Sequence, residues 1–182
     1  MPFSKLGLTD ALLKALAEQK YIQPYPIQQQ AIPAILEGKD ILGIAQTGSG
    51  KTASFVLPIL QQLQAGISTK NRHVRALVVV PTRELAIQVN DVFTTLGANL
   101  PIPIKTMAVY GGVSINPQMI GLQGVEVLVA TPGRLLELIS TNAVSLSAIK
   151  ILVLDEADKM LNLGFKEEMT KIFGLLPKNR QN

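Results

Sequence analysis

Two groups of residues in this sequence have the types and spacing for phosphate chemistry. The first is Gly48-Ser49-Gly50-Lys51-Thr52, which follows the apolar run Ile41–Ala45 and the turn residues Gln46 and Thr47. Glycines at 48 and 50 let backbone N–H groups approach phosphate oxygens that a Cβ would keep away. Lys51 can reach terminal phosphates as a point charge, and the Thr52 hydroxyl can hold Mg²⁺. The general phosphate-loop pattern has glycine at position 45; Ala45 stands there and is small enough for the turn. The spacing implies a buried strand over Ile41–Ala45, the loop, and then a helix whose N-terminus is aimed at the phosphates. A Gly-rich turn with an incidental Lys-Thr pair is the plainer alternative.

The second group lies about 100 residues downstream, where Ile151–Leu154 runs into Asp155-Glu156-Ala157-Asp158. A buried strand ending there delivers two carboxylates to a sheet edge, beside the phosphate loop if the two strands are neighbours. Asp155 is placed to hold Mg²⁺ through water, and Glu156 to orient and deprotonate an attacking water. Alone, the same residues also suit an acidic turn before a short helix over 157–161.

Elements of α/β type must position both groups. Apolar, β-rich runs at 76–80, 105–110, 125–130 and 149–154 alternate with helical patterns at 84–96, 115–122 and 134–139. Strands too apolar to face water on either side predict a mainly parallel sheet with helices on both faces. Active residues are then expected at the strands' C-terminal ends. Ahead of this alternation, helical spacing covers 8–20 with Thr9 as N-cap. Pro26 opens a second helix that Gly38 closes, with a kink expected at Pro33. A helix is expected over 53–65, and a polar connection over 67–72. His73, after it, reads as a solvated side chain.

The 182 residues suit one domain. With 47% hydrophobic but only 4% aromatic residues, its core must be aliphatic. No run approaches the roughly 18 apolar residues of a membrane span, and the start lacks a signal peptide's apolar core. The absence of cysteine excludes disulfides and thiolate chemistry. A cytoplasmic protein is expected. The net charge of +4 is compatible with a polyanionic partner without requiring one.

Taken together, the sequence resembles the N-terminal RecA-like domain of the DEAD-box ATP-dependent RNA helicases. The tetrad 155–158 is that family's name-giving motif, and the loop 45–52 is its own version, Ala45 included. Pro81-Thr82-Arg83-Glu84-Leu85-Ala86, Gly111-Gly112 and Thr131-Pro132-Gly133-Arg134 match in order and spacing, as does an adenine-recognition segment at 21–28 with Phe3 upstream. The wording is closest to the bacterial RhlE-like branch.

The resemblance implies a RecA-like P-loop domain over 1–182, with residues 1–29 as the adenine-recognition segment. It implies ATP and Mg²⁺ bound by Phe3, Tyr21, Gln28, Ala45, Gln46, Thr47, Gly48, Ser49, Gly50, Lys51 and Thr52. Gln28 would bond the adenine edge, with Tyr21 packing on the base and Phe3 closing the pocket. Lys51, Asp155 and Glu156 would be catalytic, Thr52 and Asp155 would hold the metal, and Asp158 would couple the two activities. RNA would be held by Pro81, Thr82, Arg83, Gly111, Gly112, Thr131, Pro132, Gly133 and Arg134. The implied parent also has a SerAlaThr strand and a second RecA-like domain, its expected partner; this chain is expected to be monomeric and inactive alone. A DNA-directed relative, a P-loop ATPase unrelated to nucleic acid, and a bare nucleotide- and RNA-binding module are the alternatives.

Two positions depart from the family. Lys20 replaces a glycine that ends the first helix in a left-handed turn, which should cost about 1 kcal/mol. Tyr25 replaces the Thr or Ser that would form a capping box with Gln28, which loosens the expected hold on Gln28.

Overall fold

The computed structural model describes residues 1–46, 48–65 and 73–182. The backbone packs as two compact units, one of 1–68, 91–104 and 181–182, the other of 69–90 and 105–180.

The second unit is built on four parallel strands: β1 (Ala76–Val79), β2 (Thr106–Val109), β3 (Val127–Ala130) and β4 (Ile151–Leu154), in the order β2-β3-β1-β4. Every residue of β1 and β3 is fully buried, as their unbroken Val, Leu and Ala composition requires of central strands covered on both faces. Helices surround the sheet: α4 (Arg83–Gly97, of which Arg83–Asn90 belong here), α5 (Ile115–Gly121), α6 (Pro132–Ser140), α7 (Ala157–Asn162) and α8 (Lys166–Leu175). Leu77, Leu128, Leu135, Leu138, Leu152 and Ile172 are among the aliphatic side chains that make one core cluster. The α/β class and the four strands thus appear as the sequence predicts, each strand slightly shorter than its apolar run.

Register is what matters for a site. Val79 pairs with both Ala130 and Leu154, and Val109 with Ala130, so all four strands end at one level. The pairing continues one residue further. Val80 N–H donates to Ala130 O at 3.0 Å, Thr131 N–H to Val109 O at 3.1 Å, and Asp155 N–H to Val79 O at 3.1 Å. At the opposite end a buried ion pair, Arg75 to Glu126 at 3.1 Å, joins the residues that lead into β1 and β3.

The first unit is helical: a 3-10 turn at Phe3–Lys5, α1 (Asp10–Glu18), α2 (Pro26–Leu36) packed on α3 (Lys51–Gln64), and the C-terminal part of α4. Glutamines of α3 stitch it together: Gln61 accepts from Thr9 N–H and donates to Gly7 O, both at 2.8 Å. Lys20 has φ 59°, the left-handed conformation expected of it. Tyr21 N–H reaches Leu16 O and Lys20 N–H reaches Ala17 O, which closes α1 with the bonds of a Schellman motif.

One expected element is not formed. Ile41–Ala45 is not a strand; Leu42 is 89% and Ile44 88% exposed. Of this run, Ile41 N–H is tied to Asn182 O at 2.9 Å. An apolar composition makes a run fit to be buried in a sheet, but a strand forms only where neighbouring strands accept its N–H groups. Because this run is not a strand, Asp155 and the phosphate loop do not end the neighbouring strands that the sequence reading allows. His73 is half-buried rather than solvated, because its backbone bridges to Ser145. Thr47 and the connection at 67–72 lie outside the described residues. No helix among the described residues is long and apolar enough to cross a membrane.

Candidate functional site

The candidate residues fall into two groups, one in each unit. In the first unit, Gly50 caps α3 in the left-handed conformation (φ 81°), and Gly48 shares that φ. A side chain at either position is strained, so the glycines are needed for the turn itself. Ser49 Oγ donates to Gln46 O at 2.6 Å and holds the loop closed on itself. Lys51 Nζ donates to Ala45 O at 2.5 Å, so the ammonium curls back across the loop it belongs to. A phosphate oxygen is the stronger partner for that ammonium, since a charge-assisted bond to an anion outweighs one to a neutral carbonyl.

Gln28 is fully buried, and both ends of its carboxamide are engaged. Oε1 accepts from Tyr25 N–H at 2.9 Å, and Nε2 donates to Gly50 O at 3.0 Å. The Tyr25 side chain makes no capping bond. The doubt that Tyr25 cast on Gln28 is nevertheless removed: half of a capping box survives, and the loop supplies the second anchor. Gly50 has a further reason to be glycine here. A Cβ on it would meet Gln28 Nε2 at 2.5 Å and Tyr25 Cδ2 at 2.7 Å. Phe3 is buried, at 6% exposure, and meets Tyr21 edge-to-face with centroids 6.4 Å apart.

This donor set fits a magnesium nucleotide. Two left-handed glycines at a helix start, a lysine free to exchange a carbonyl for an anion, and a threonine hydroxyl one residue on are what polyphosphate and a hard cation need.

In the second unit the level strand ends bring together the segments after β1, β2, β3 and β4. Thr82 caps α4, its Oγ1 accepting from Leu85 N–H at 3.3 Å, which leaves the hydroxyl proton for another acceptor. Gly111, Gly112 and Gly133 are exposed, and a Cβ at any of them would meet nothing within 4 Å. Their bare backbone therefore faces open space. Pro81 and Pro132 are buried, so any role of theirs runs through the backbone they shape. Thr131 caps the start of α6 without spending its hydroxyl on the helix.

Arg134 is placed differently from the expectation of a phosphate contact. Its side chain is 6% exposed. Nε donates to Glu137 at 2.7 Å and Nη2 to Val113 O at 2.7 Å, while Nη1 is buried with no hydrogen-bond partner. The guanidinium faces inward because it ties α6 to the loop after Gly112.

Asp155 is the first residue past β4, and Glu156 follows it at φ 53°, left-handed without being glycine. Its carboxylate lies 3.3 Å from Lys159 Nζ. Left-handed residues other than glycine cost of order 1 kcal/mol and concentrate where function requires the geometry. Asp158 is exposed in the first turn of α7.

Sequence reasoning missed Tyr110 and Gln118. The Tyr110 ring lies under the Arg83 guanidinium, 4.9 Å from centroid to Cζ. Gln118 Oε1 accepts from Tyr110 N–H at 3.2 Å and its Nε2 donates to Tyr110 O at 3.1 Å. An aromatic residue directly before Gly111-Gly112 was the available signal.

The sequence model of the DEAD/DEAH box helicases matches residues 25–182. The chain is 47% identical, over its whole length, to the ATP-dependent RNA helicase CshA of Limosilactobacillus reuteri, of which it covers 35%. It is 43% identical over 98% of its length to the DEAD-box ATP-dependent RNA helicase RhpA of Helicobacter pylori, again covering 35%. With the ATP-dependent RNA helicase DeaD of Buchnera aphidicola subsp. Acyrthosiphon pisum the identity is 44% over 98% of the chain, which covers 29% of that protein. The chain thus spans about a third of the length of these curated relatives.

Proposed function

The chain belongs to the DEAD/DEAH box helicase family, and from that premise we propose that it is the nucleotide-binding part of an RNA-dependent ATPase that locally separates short RNA duplexes. The observation that carries this reading is the common level of four parallel strand ends, three followed by residues suited to phosphate and the fourth by the carboxylates of Asp155 and Glu156.

In this reading Lys51 leaves Ala45 O for the terminal phosphates, and backbone N–H groups of Gly48–Thr52 take the remaining oxygens. Gln28, fully buried while it holds Gly50 O, recognises the adenine edge once the ligand-bound loop uncovers its carboxamide, with the acceptor and donor capacity its two backbone bonds leave unused. Because it also holds Gly50 O, base recognition and loop shape are linked through one carboxamide. Tyr21 packs on the base; Phe3, buried behind it, supports that ring. Thr52 and Asp155 would hold Mg²⁺, which supplies charge neutralisation at the phosphates. Glu156 takes a proton from the attacking water as its oxygen bonds the terminal phosphorus and the bridging P–O bond breaks. Asp158 couples this chemistry to RNA. Thr82, Arg83 and Thr131, with the bare backbone of Gly111, Gly112 and Gly133, grip phosphates of the RNA, and Pro81 and Pro132 set their backbone. Arg134 contributes by holding the 111–113 loop to α6. The longer parent supplies a second RecA-like domain and acts in the cytoplasm.

Calorimetric titration of this chain with ADP and GDP tests the nucleotide half. ADP is expected to bind better, Gln28→Ala to erase a preference of about 1–3 kcal/mol, and Lys51→Ala to abolish binding. Equal affinities, or binding indifferent to Lys51→Ala, would sink it. ATP hydrolysis by the longer parent with RNA, DNA or neither tests the other half; stimulation by DNA equal to that by RNA favours the DNA-directed alternative.

A further inference from the structure

We propose that Tyr110 is a positioning residue for nucleic-acid binding: its ring holds the Arg83 guanidinium ready for a backbone phosphate, and Gln118 fixes that ring by clamping the Tyr110 backbone. The role rests on the reading of the strand-end segments as an RNA face.

Arg83 opens α4 and is exposed. A helix N-terminus carries partial positive charge, so a cation there is electrostatically misplaced. Among the described residues no carboxylate lies within ion-pair distance of it. What receives the charge is the face of Tyr110, at 4.9 Å and within cation–π range. A ring face attracts the cation without occupying its N–H groups. The planar fork therefore stays free to donate to a phosphate, while its wandering is curtailed.

The ring in turn has to be held. Tyr110 is the first residue past β2, and β2 is an edge strand whose one neighbour among the described residues is β3. On that side Thr131 N–H fixes the preceding carbonyl, Val109 O, at 3.1 Å. Gln118, 7% exposed, bonds both the N–H and the C=O of Tyr110, the pair of bonds a neighbouring strand would make. Held in this way, Tyr110 presents one ring face to Arg83. A base-stacking residue would instead keep that face clear.

The test measures affinity of this chain for a short labelled oligouridylate by fluorescence anisotropy at one low salt concentration. Tyr110→Leu is expected to weaken binding about two- to fivefold, the worth of an exposed cation–π pair as a ratio. Tyr110→Phe, which keeps the ring, should bind as the unsubstituted chain does. In an Arg83→Ala background Tyr110→Leu should have no effect. Equal loss in both backgrounds would make Tyr110 a packing residue and overturn the role. Proton NMR of the unsubstituted chain provides a readout that needs neither variant folding nor RNA. The Arg83 δ-methylene protons are expected upfield from the ring current, and their appearance at ordinary positions overturns the contact. A chain with that upfield shift that fails to bind the oligonucleotide overturns the RNA reading itself, and the positioning role with it.

Discussion

The two candidate regions hold their loops by different means. Around Gly111-Gly112, Thr131 and Asp155, the segments hang from a parallel ladder whose last bonds reach one residue into each of the loops after β3 and β4. Around Gly48–Lys51, the loop is held by side chains: Gln28 on Gly50 O, Ser49 on Gln46 O, and Lys51 on Ala45 O. A ladder fixes backbone positions whatever ligand is present. Side-chain bonds can be exchanged one for one, and Lys51 in particular has a better partner in any phosphate. The contrast implies a strand-end face that is shaped in advance and a phosphate loop that is shaped by its ligand.

The largest expected effect breaks the ladder side. Glu126→Ala should cost up to about 3–5 kcal/mol, since it removes the carboxylate that faces the buried Arg75 guanidinium beside β1. Urea unfolding would show it as a lowered midpoint. Replacing both partners, Arg75→Met with Glu126→Leu, should recover most of the loss. If the single substitution costs under about 1 kcal/mol, the ladder does not depend on this pair.

Next in size is the chemistry at the end of β4. Glu156→Gln in the longer parent should lower turnover roughly 10²-fold or more while nucleotide still binds. Turnover within about threefold of the original would mean that another group takes the proton.

The loop side is probed by Gly50→Ala. The new Cβ enters a left-handed position and meets Gln28 and Tyr25. A loss of about 1–2 kcal/mol in ADP affinity is expected, with RNA affinity unchanged. Equal loss in both affinities would erase the distinction between the regions.

The smallest effect compares two of the three left-handed residues other than glycine, Lys20 and Glu156, directly. Lys20→Gly and Glu156→Gly should each stabilise the chain by roughly 0.5–1 kcal/mol, a raised urea midpoint at constant slope. Only the second should abolish hydrolysis in the parent. A lowered midpoint for either would show that its side chain contributes more than its φ costs.

Much of this was legible in the sequence, for identifiable reasons. The strands at 76–79 and 127–130 announce themselves because central parallel strands tolerate only apolar side chains, and Lys20 because the family the sequence resembles has glycine there, the mark of a left-handed helix end. The run 41–45 misled because composition records fitness for burial and carries no information on which strand lies alongside. Helix α8 was there to be found in Met169 and Ile172, with Leu176 just past its end, at helical spacing. The clamp of Gln118 on Tyr110 was not. Side chain and backbone are brought together only after α5 has folded back past the end of β2.

The common level of the strand ends also acts as a ruler. Neighbouring strands lie about 4.8 Å apart, so the segments after β1, β3 and β2 sample a line roughly 10 Å long at a fixed pitch. A polyanion laid across them is gauged by the spacing of its charges rather than by the identity of its bases. A regular duplex and a bent single strand offer different spacings to the same three rungs. Discrimination on this face is therefore expected to follow the curvature of the bound backbone and to be blind to sequence.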